Sequence, residues 1–216
     1  MSRKHFTLYS YATGPNGWKV TYLLNELGLD YETKFLNTKE EYKSPEYLKL
    51  NPNGRLPTLV DHKNNDYTVW ESAAILLYLV DKYDTKKKHT VTKDKDKYHI
   101  YQWLFFQMSG QGPYFGQGFW FTYLHSEKIP SAQLQYQNEA RRILSVLESV
   151  LSKQEWLVAG KVTIADIAFV LWNNIINVLL GADVSFEKEF PATFKWHSKL
   201  IEIPGVKAGI AEKAFL

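Results

Sequence analysis

Three short segments of this 216-residue sequence combine residue types that could hold a small peptide-like ligand and a sulfur atom. They are residues 13–17 (TGPNG), 51–57 (NPNGRLP) and 70–72 (WES). The sequence has no cysteine, which excludes a disulfide framework, a cysteine-ligated metal site and a thiolate nucleophile on the protein. If the protein performs sulfur chemistry, the sulfur must therefore arrive on a ligand.

Leu56, Pro57 and Thr58 lie at the start of a predicted strand. Proline cannot donate to a strand ladder, so at such a position it lies at a sheet edge or in a cis turn. A cis bond would leave the N–H and C=O groups of Leu56 free to pair with an extended peptide-like ligand. A tight turn that leads into the strand explains the same residues, and both interpretations remain open.

Glu71 and Ser72 lie where a predicted strand gives way to a helix. The free N–H groups and partial positive charge of a helix N-terminus favour a ligand carboxylate, and Ser72 adds a hydroxyl donor. Glu71 is placed to meet an ammonium group, so the pair could bind the α-amino-acid end of a ligand. Simple capping of the helix is the alternative.

Residues 13–17 form another loop that leads into a helix, where a ligand thiol would meet Asn16, backbone N–H groups and Thr13. A free thiol titrates near pH 8.5, so only about 3% is ionised at pH 7. Lowering its pKa by about two units requires about 2.7 kcal/mol of preferential stabilisation, which a helix end and one or two hydrogen bonds can supply. Rival hydroxyl groups in the preceding strand belong to Tyr9, Ser10 and Tyr11.

The elements that position these segments form a predicted α/β domain over residues 1–83, in the order βαβαββα of a thioredoxin-like fold. Gly28 is expected to end the first helix. The strands are predicted at residues 5–11, 31–36, 56–61 and 67–70, and the helices at 18–27, 45–50 and 71–83.

Residues 98–216 predict an all-helical domain. Its helices are predicted at residues 98–107, 117–125, 131–151, 163–180 and 193–201. Thr163 and Asp166 match a capping box, with Val162 and Ile167 at the positions of a hydrophobic staple. Residues 84–97 are the predicted linker, because the stretch from 81 to 97 holds seven lysines and four aspartates and accounts for the net charge of +3.

Charge and hydropathy exclude several function classes. The lysines of residues 81–97 alternate with Asp and Thr, which favours a solvated linker over a nucleic-acid interface. Polar residues interrupt the most apolar stretch, 164–180, and residues 1–4 lead into no secretory apolar region. The six histidines show no metal-ligand spacing. The expectations are therefore a cytoplasmic protein with no membrane span, no metal and no nucleic-acid partner.

Taken together, the motifs resemble those of the cytosolic glutathione transferases over essentially the full length. The resemblance depends on residues 14–17 (GPNG), 51–57 (NPNGRLP), 70–76 (WESAAIL), 156–160 (WLVAG) and 163–166 (TIAD). Within that family the chain is most similar to the fungal branch related to the yeast nitrogen-regulator prion protein. The cues for the branch are residues 15–17 (PNG), 103–107 (WLFFQ), 123–129 (YLHSEKI) and 169–174 (FVLWNN).

The resemblance implies a glutathione site in the first domain, a homodimer and an electrophile pocket built against the helical domain. Leu56, beside Pro57, would pair with the cysteinyl backbone of glutathione, and Glu71 and Ser72 would hold the γ-glutamyl end. Asn16 would lie near the sulfur, with Thr13 as the second candidate because it stands where serine-type transferases place a catalytic hydroxyl. The candidates for the glycine carboxylate are Tyr42, Lys43 and Arg55.

Residues 110–123 concentrate aromatic side chains among four glycines, which suits an apolar pocket for varied hydrophobic ligands. The residues predicted to line this electrophile pocket are Tyr114, Phe115, Phe119, Trp120, Tyr123 and Trp172. Ordinary core and dimer packing is the alternative for each.

The predicted activity is conjugation of glutathione to small hydrophobic electrophiles, as in detoxification, or glutathione-dependent disulfide reductase or peroxidase chemistry. A non-catalytic glutathione-fold module that binds ligands or regulates a partner is the alternative. The sequence does not identify the second substrate.

Overall fold

The computed structural model describes residues 3–181 and 184–214, which form two compact units. The first contains residues 3–87 together with 202–214, and the second contains the described residues between 88 and 201. The predicted fold class is confirmed: an α/β thioredoxin-like unit and an all-helical unit.

The first unit is built on a four-stranded mixed sheet with the strand order β2-β1-β3-β4. The strands are β1 Phe6–Ser10, β2 Tyr31–Phe35, β3 Thr58–Asp61 and β4 Tyr67–Trp70. β1 runs parallel to β2 and antiparallel to β3, and β3 is antiparallel to β4. Every residue of β3 is buried, which fits its sequence TLVD, a strand without alternation between apolar and polar residues up to Asp61.

The helices of this unit cover the sheet and lead into the loops at its edge. They are α1 Pro15–Glu26, α2 Lys39–Tyr42, α3 Pro45–Leu50, α4 Ser72–Lys82 and, much later in the chain, α13 Pro204–Ala214. Gly28 adopts the left-handed conformation (φ 63°) just after α1, as predicted. Its N–H donates to Asn25 O and that of Leu29 to Leu24 O, which satisfies the last carbonyls of the helix.

Helix α13 packs on α1 although 180 residues separate their bonded groups. Gly205 N–H donates to Glu26 Oε1 at 2.5 Å, and Asn25 Nδ2 donates to Gly205 O at 3.2 Å. A Cβ on Gly209 would lie 2.6 Å from the Tyr22 ring, so glycine is required for this close approach. The sequence-based division placed this segment in the helical domain, whereas these contacts place it in the first unit.

The second unit is helical, as predicted, apart from one isolated bridge between Val158 and Lys161 in the described part of the chain. Its α-helices are α5 Asp94–Phe106, α6 Gly112–Phe119, α7 Pro130–Leu151, α8 Ile164–Ile167, α9 Val170–Asn173, α10 Ile176–Leu180, α11 Phe186–Glu189 and α12 Pro191–Ile201. The π-helical segments Gln107–Gln111 and Trp120–Leu124 follow α5 and α6.

Three predictions of detail were wrong in this unit. The last four residues of the predicted linker are helical, because Asp94 and Asp96 in the first turn of α5 complement the helix dipole. Residues 108–116, which lay outside the predicted helices, are helical, and a Cβ built on Gly116 would be in ordinary contact with the Trp172 ring at 3.4 Å. The predicted helix at 163–180 is divided into α8, α9 and α10.

The predicted capping box of α8 is confirmed and is entirely buried. The Asp166 carboxylate accepts from Thr163 N–H at 2.8 Å, Thr163 Oγ1 and Leu157 N–H at 3.0 Å, and Trp196 Nε1 at 3.0 Å. One carboxylate thereby fixes the start of α8, the 157–163 loop and helix α12.

Candidate functional site

A cleft of about 470 Å³ opens in the first unit beside the start of α1, within the size range of small-molecule sites. It contains five of the residues predicted for the ligand, namely Asn16, Tyr42, Lys43, Arg55 and Leu56. Its other lining residues are Tyr11, Gly14, Pro15, Gly17, Asn37, Lys39 and Gly54. Two loops and the short helix α2 therefore converge here.

The N-terminus of α1 forms one wall of this cleft. Gly14 is the N-cap and supplies no side-chain cap, and Pro15 starts the helix with its preset φ. The first turn of α1 therefore presents backbone N–H groups and the positive end of the helix dipole to the cleft, beside Asn16. Trp18 Nε1 donates to Ala12 O at 2.9 Å and secures the loop before the helix.

Gly17 allows α1 to approach the sheet closely enough to build this wall. A Cβ at Gly17 would lie 1.9 Å from Ser10 Oγ and 2.9 Å from Ser10 Cβ, at the buried end of β1. The glycine is required here for space, and its φ is not in the left-handed region.

The loop at residues 51–57 supplies Arg55 and Leu56. The buried Asn51 side chain donates to Arg55 O at 2.8 Å and to Thr58 Oγ1 at 3.0 Å, and Tyr47 OH donates to Arg55 O at 2.7 Å. The Leu56–Pro57 peptide bond is cis, one of the two alternatives left open by the sequence. Among the described residues, no hydrogen bond reaches the Leu56 backbone.

Cationic side chains gather on the wall made by α2 and the 51–57 loop. Lys39, Lys43 and Arg55 all line the cleft. Lys43 Nζ donates to Asn53 O at 2.8 Å, which ties the end of α2 to that loop. This wall suits a carboxylate, whereas the wall made by α1 suits a second anionic group such as a thiolate.

Glu71 and Ser72 lie at the start of α4 and not in the lining of the cleft. Thr58 pairs with Trp70, so the antiparallel register continued by one residue places Glu71 beside Pro57. Glu71 has φ 71°, a left-handed conformation that costs a non-glycine residue about 1–3 kcal/mol and is typical of ligand clamps. Ser72 is buried at 1% exposure.

The side chain of Lys19, in α1, contacts Ser72 at the start of α4. It is 1% exposed, and its Nζ donates to Ser72 Oγ at 3.4 Å. Burial lowers the pKa of the Lys19 ammonium to about 7, against an opposing effect of the Glu71 charge. A titratable group therefore lies behind the start of α4.

The remaining predicted site residues fall elsewhere. Thr13 is exposed and does not line the cleft, whereas the rival residue Tyr11 does. In the helical unit, Tyr114 and Phe119 are half-buried, and Trp120 and Tyr123 expose 40% and 52% of their surface. Phe115 (0%) and Trp172 (8%) belong to the core of that unit.

Three residues were not predicted from the sequence: Asn37 and Lys39 in the cleft, and Lys19 behind it. Lys19 could have been found from helical periodicity, because it precedes the buried Leu23 by one turn on the apolar face of α1. Asn37 and Lys39 carried no such signal, since helix α2 was not predicted. Its capping box, Thr38 with Glu41, was the available indication.

Two kinds of feature are absent from the described residues. No group of three or more His, Cys, Asp or Glu side chains there could hold a metal ion. In the same part of the chain, no helix combines the length and the apolar character needed to span a bilayer.

Comparisons with known proteins show which family this chain resembles in sequence and fold. The family model for the glutathione S-transferase N-terminal domain matches residues 4–81, and that for the C-terminal domain matches residues 112–204. Glutathione S-transferase 1 of Schizosaccharomyces pombe is 49% identical, over 97% of this chain and 96% of the relative.

Two further similar proteins carry the name Ure2 or a name derived from it. The transcriptional regulator URE2 of Saccharomyces cerevisiae is 37% identical over 93% of this chain and 66% of its own. Glutathione transferase URE2P6 from Phanerochaete chrysosporium is 58% identical in sequence to this chain, and its crystal structure is a complex with oxidized glutathione. It superposes with a TM-score of 0.95 and covers 98% of this chain and 97% of that one.

Proposed function

This chain belongs to the glutathione S-transferase family, in the branch of the Ure2-type proteins, and from that premise we propose that it is an enzyme that binds glutathione in the cleft beside α1 and activates its thiol. The observation that carries the proposal is the N-terminus of α1, which has no side-chain cap and lines the cleft with Asn16. The complex of URE2P6 with oxidized glutathione supports the choice of ligand.

The proposed pose follows from the chemistry of the walls. The thiol lies at the N-terminus of α1 beside Asn16, and the cysteinyl backbone pairs with the Leu56 N–H and C=O groups. The glycine carboxylate meets Arg55 and Lys43. The γ-glutamyl end extends to Glu71, whose carboxylate suits an ammonium group.

The rate gain comes from the population of thiolate and from proximity. At pH 7 about 3% of a free thiol is ionised, and stabilising the thiolate by about 2.7 kcal/mol lowers the pKa by about two units and ionises about three-quarters of it. The thiolate then forms a bond to an electrophilic carbon, where it expels halide from an aryl halide or adds to the C=N bond of an isothiocyanate, whose nitrogen takes up a proton. With a disulfide it attacks one sulfur and releases the other half as a thiolate. Because the sequence has no cysteine, no mixed disulfide forms on the protein.

The second substrate is a small hydrophobic electrophile or a disulfide. The proposed contacts are the aromatic residues of the helical unit that are not buried, namely the half-buried Tyr114 and Phe119 and the exposed Trp120 and Tyr123. Phe115 and Trp172 are left out, because both are buried in the core. We further propose a cytoplasmic homodimer, which sedimentation and localisation of the tagged chain test.

Steady-state turnover with glutathione and an aryl halide, an isothiocyanate or a mixed disulfide tests the activity. We expect turnover of at least one of the three. Tight glutathione binding without any turnover would instead support the ligand-binding or regulatory module, the role that the name of the yeast relative indicates for that protein.

The site is tested by the ultraviolet absorbance of bound thiolate as a function of pH. Asn16→Ala should raise the pH midpoint by about one unit, the effect of one lost charge-assisted hydrogen bond of about 1.5 kcal/mol. Thr13→Ala is the matched control, because Thr13 lies outside the cleft. An unchanged midpoint in Asn16→Ala, with a shift in Thr13→Ala, would reverse the assignment.

A further inference from the structure

Lys19 occupies a position that lysine rarely tolerates. Lysine is almost never fully buried unless it is paired, and Lys19, which is 1% exposed, meets Ser72 at the start of α4. Of the lysines and arginines in the described ranges, it alone is buried. A methionine would fill the same space without the cost of burying a charge, so the ammonium requires a functional explanation.

The contacts of Lys19 direct its charge to the start of α4. Its side chain runs back toward the N-terminus of α1, as helical side chains do, and the ammonium donates to Ser72 Oγ at 3.4 Å. Ser72 is the first residue of α4, so the ammonium adds to the positive end of that helix dipole. Glu71, exposed and held at φ 71°, is the described ionisable group whose charge acts on Lys19.

We propose that Lys19 is the buried counter-charge for the α-carboxylate of the γ-glutamyl end of glutathione, so that binding of that carboxylate at the start of α4 and protonation of Lys19 reinforce each other. This inference rests on the proposed function and deepens it. Glu71 receives the ligand ammonium from the solvent side, and Lys19 acts on the carboxylate through the first turn of α4. Lys19 is thus a positioning residue that touches no reacting atom.

The size of the effect follows from the pKa of about 7 in the free protein. An opposite charge nearby shifts a pKa by about one to three units, and a shift of two units raises that of Lys19 to about 9. At pH 8 the protonated fraction then rises from about one-tenth to about nine-tenths, so binding takes up about 0.8 proton. The protonated group strengthens binding by about 100-fold near pH 6 and about tenfold at pH 8, because less of the wild-type protein is protonated at the higher pH.

The experiment measures binding of S-methylglutathione by calorimetry in buffers of different ionisation enthalpy. The S-methyl group removes the thiol, whose own ionisation would release a proton. We expect the wild-type chain to take up about 0.8 proton at pH 8, Lys19→Met to take up none, and the affinity ratio of the two to shrink from about 100 to about 10 between pH 6 and pH 8. Lys49→Met is the matched control, an exposed lysine outside the cleft.

The outcomes separate this inference from the proposed function. If the wild-type chain does not bind S-methylglutathione at all, the proposed function fails. If it binds without taking up a proton, or if Lys19→Met takes up the same fraction because the ligand ammonium is the source, the inference fails and the glutathione site stands. The measurement on the wild-type chain decides even if Lys19→Met does not fold.

Discussion

Gly17→Ala should damage both the stability of the first unit and its glutathione site. The added Cβ would lie 1.9 Å from Ser10 Oγ and 2.9 Å from Ser10 Cβ, against 3.4 Å for ordinary contact. Rotation of the Ser10 side chain removes the first clash but not the second, so β1 and α1 must move apart. β1 pairs with strands on both sides, so α1 is the element that moves. Overpacking of this kind costs about 1–3 kcal/mol.

The displacement of α1 carries the Asn16 wall of the cleft with it, so we expect the Kd for glutathione to rise by about tenfold or more, as small misplacements do at binding sites. Urea unfolding and calorimetric titration measure the two effects. Ser10→Gly provides the rescue, because the nearest remaining atom is then Ser10 Cα at 3.6 Å.

A double-mutant cycle separates the clash from other causes. Ser10→Gly alone should cost about 0.5–1 kcal/mol, as glycine does within a strand. The pair should be more stable than the sum of the single effects by 1 kcal/mol or more. Wild-type stability and affinity in Gly17→Ala, or strict additivity in the pair, would falsify the assignment of Gly17 to close packing.

Three further predictions concern separate parts of the molecule. Asp166→Ala should reduce the free energy of unfolding by about 3–5 kcal/mol in urea titrations, because it leaves the buried N–H groups of Thr163 and Trp196 without an acceptor. A loss below about 1 kcal/mol would contradict this prediction. Burial lowers the pKa of His197 to about 4, so the unfolded chain binds a proton at a higher pH than the folded chain does. The free energy of unfolding should therefore fall by about 2 kcal/mol from pH 7 to pH 5, and His197→Asn should lessen this decline. An equal decline in both proteins would refute the prediction. Arg55→Ala should weaken glutathione binding by about tenfold but leave the affinity for its glycine-amide analogue unchanged, and equal losses for both ligands would remove Arg55 from the carboxylate site.

The sequence predicted the fold well where one local signal was enough. Alternating and apolar runs located all four strands, and Gly28 and the box of Thr163 with Asp166 located helix ends. Local signals failed for residues 108–116, because glycines 110, 112 and 116 lower the helix propensity of this stretch, whereas tertiary packing overrides that preference.

The residues of the candidate site also fall into those that local motifs predicted and those that they did not. Motif positions predicted Asn16, Arg55 and Leu56, since each adjoins a turn residue of recognisable chemistry. Helical periodicity could have placed Lys19 on the buried face of α1, but its position at the site was not predicted, because only the fold brings it to Ser72, 53 positions away. The aromatic stretch indicated a set of residue types but not their orientation, so the buried Phe115 could not be distinguished from its half-buried and exposed neighbours.

Helix α13 has a consequence for biosynthesis. Its contacts with α1 join residues 180 positions apart, so the α/β unit cannot assemble in order as the chain leaves the ribosome. At about 5–20 residues per second, α1 waits roughly 10–40 s for its covering helix. During that interval the Tyr22 face of α1 lacks the backbone of Gly209 against it, and the nascent chain offers an apolar surface to chaperones. The ligand-binding unit, although encoded first, is therefore among the last parts of the protein to be completed.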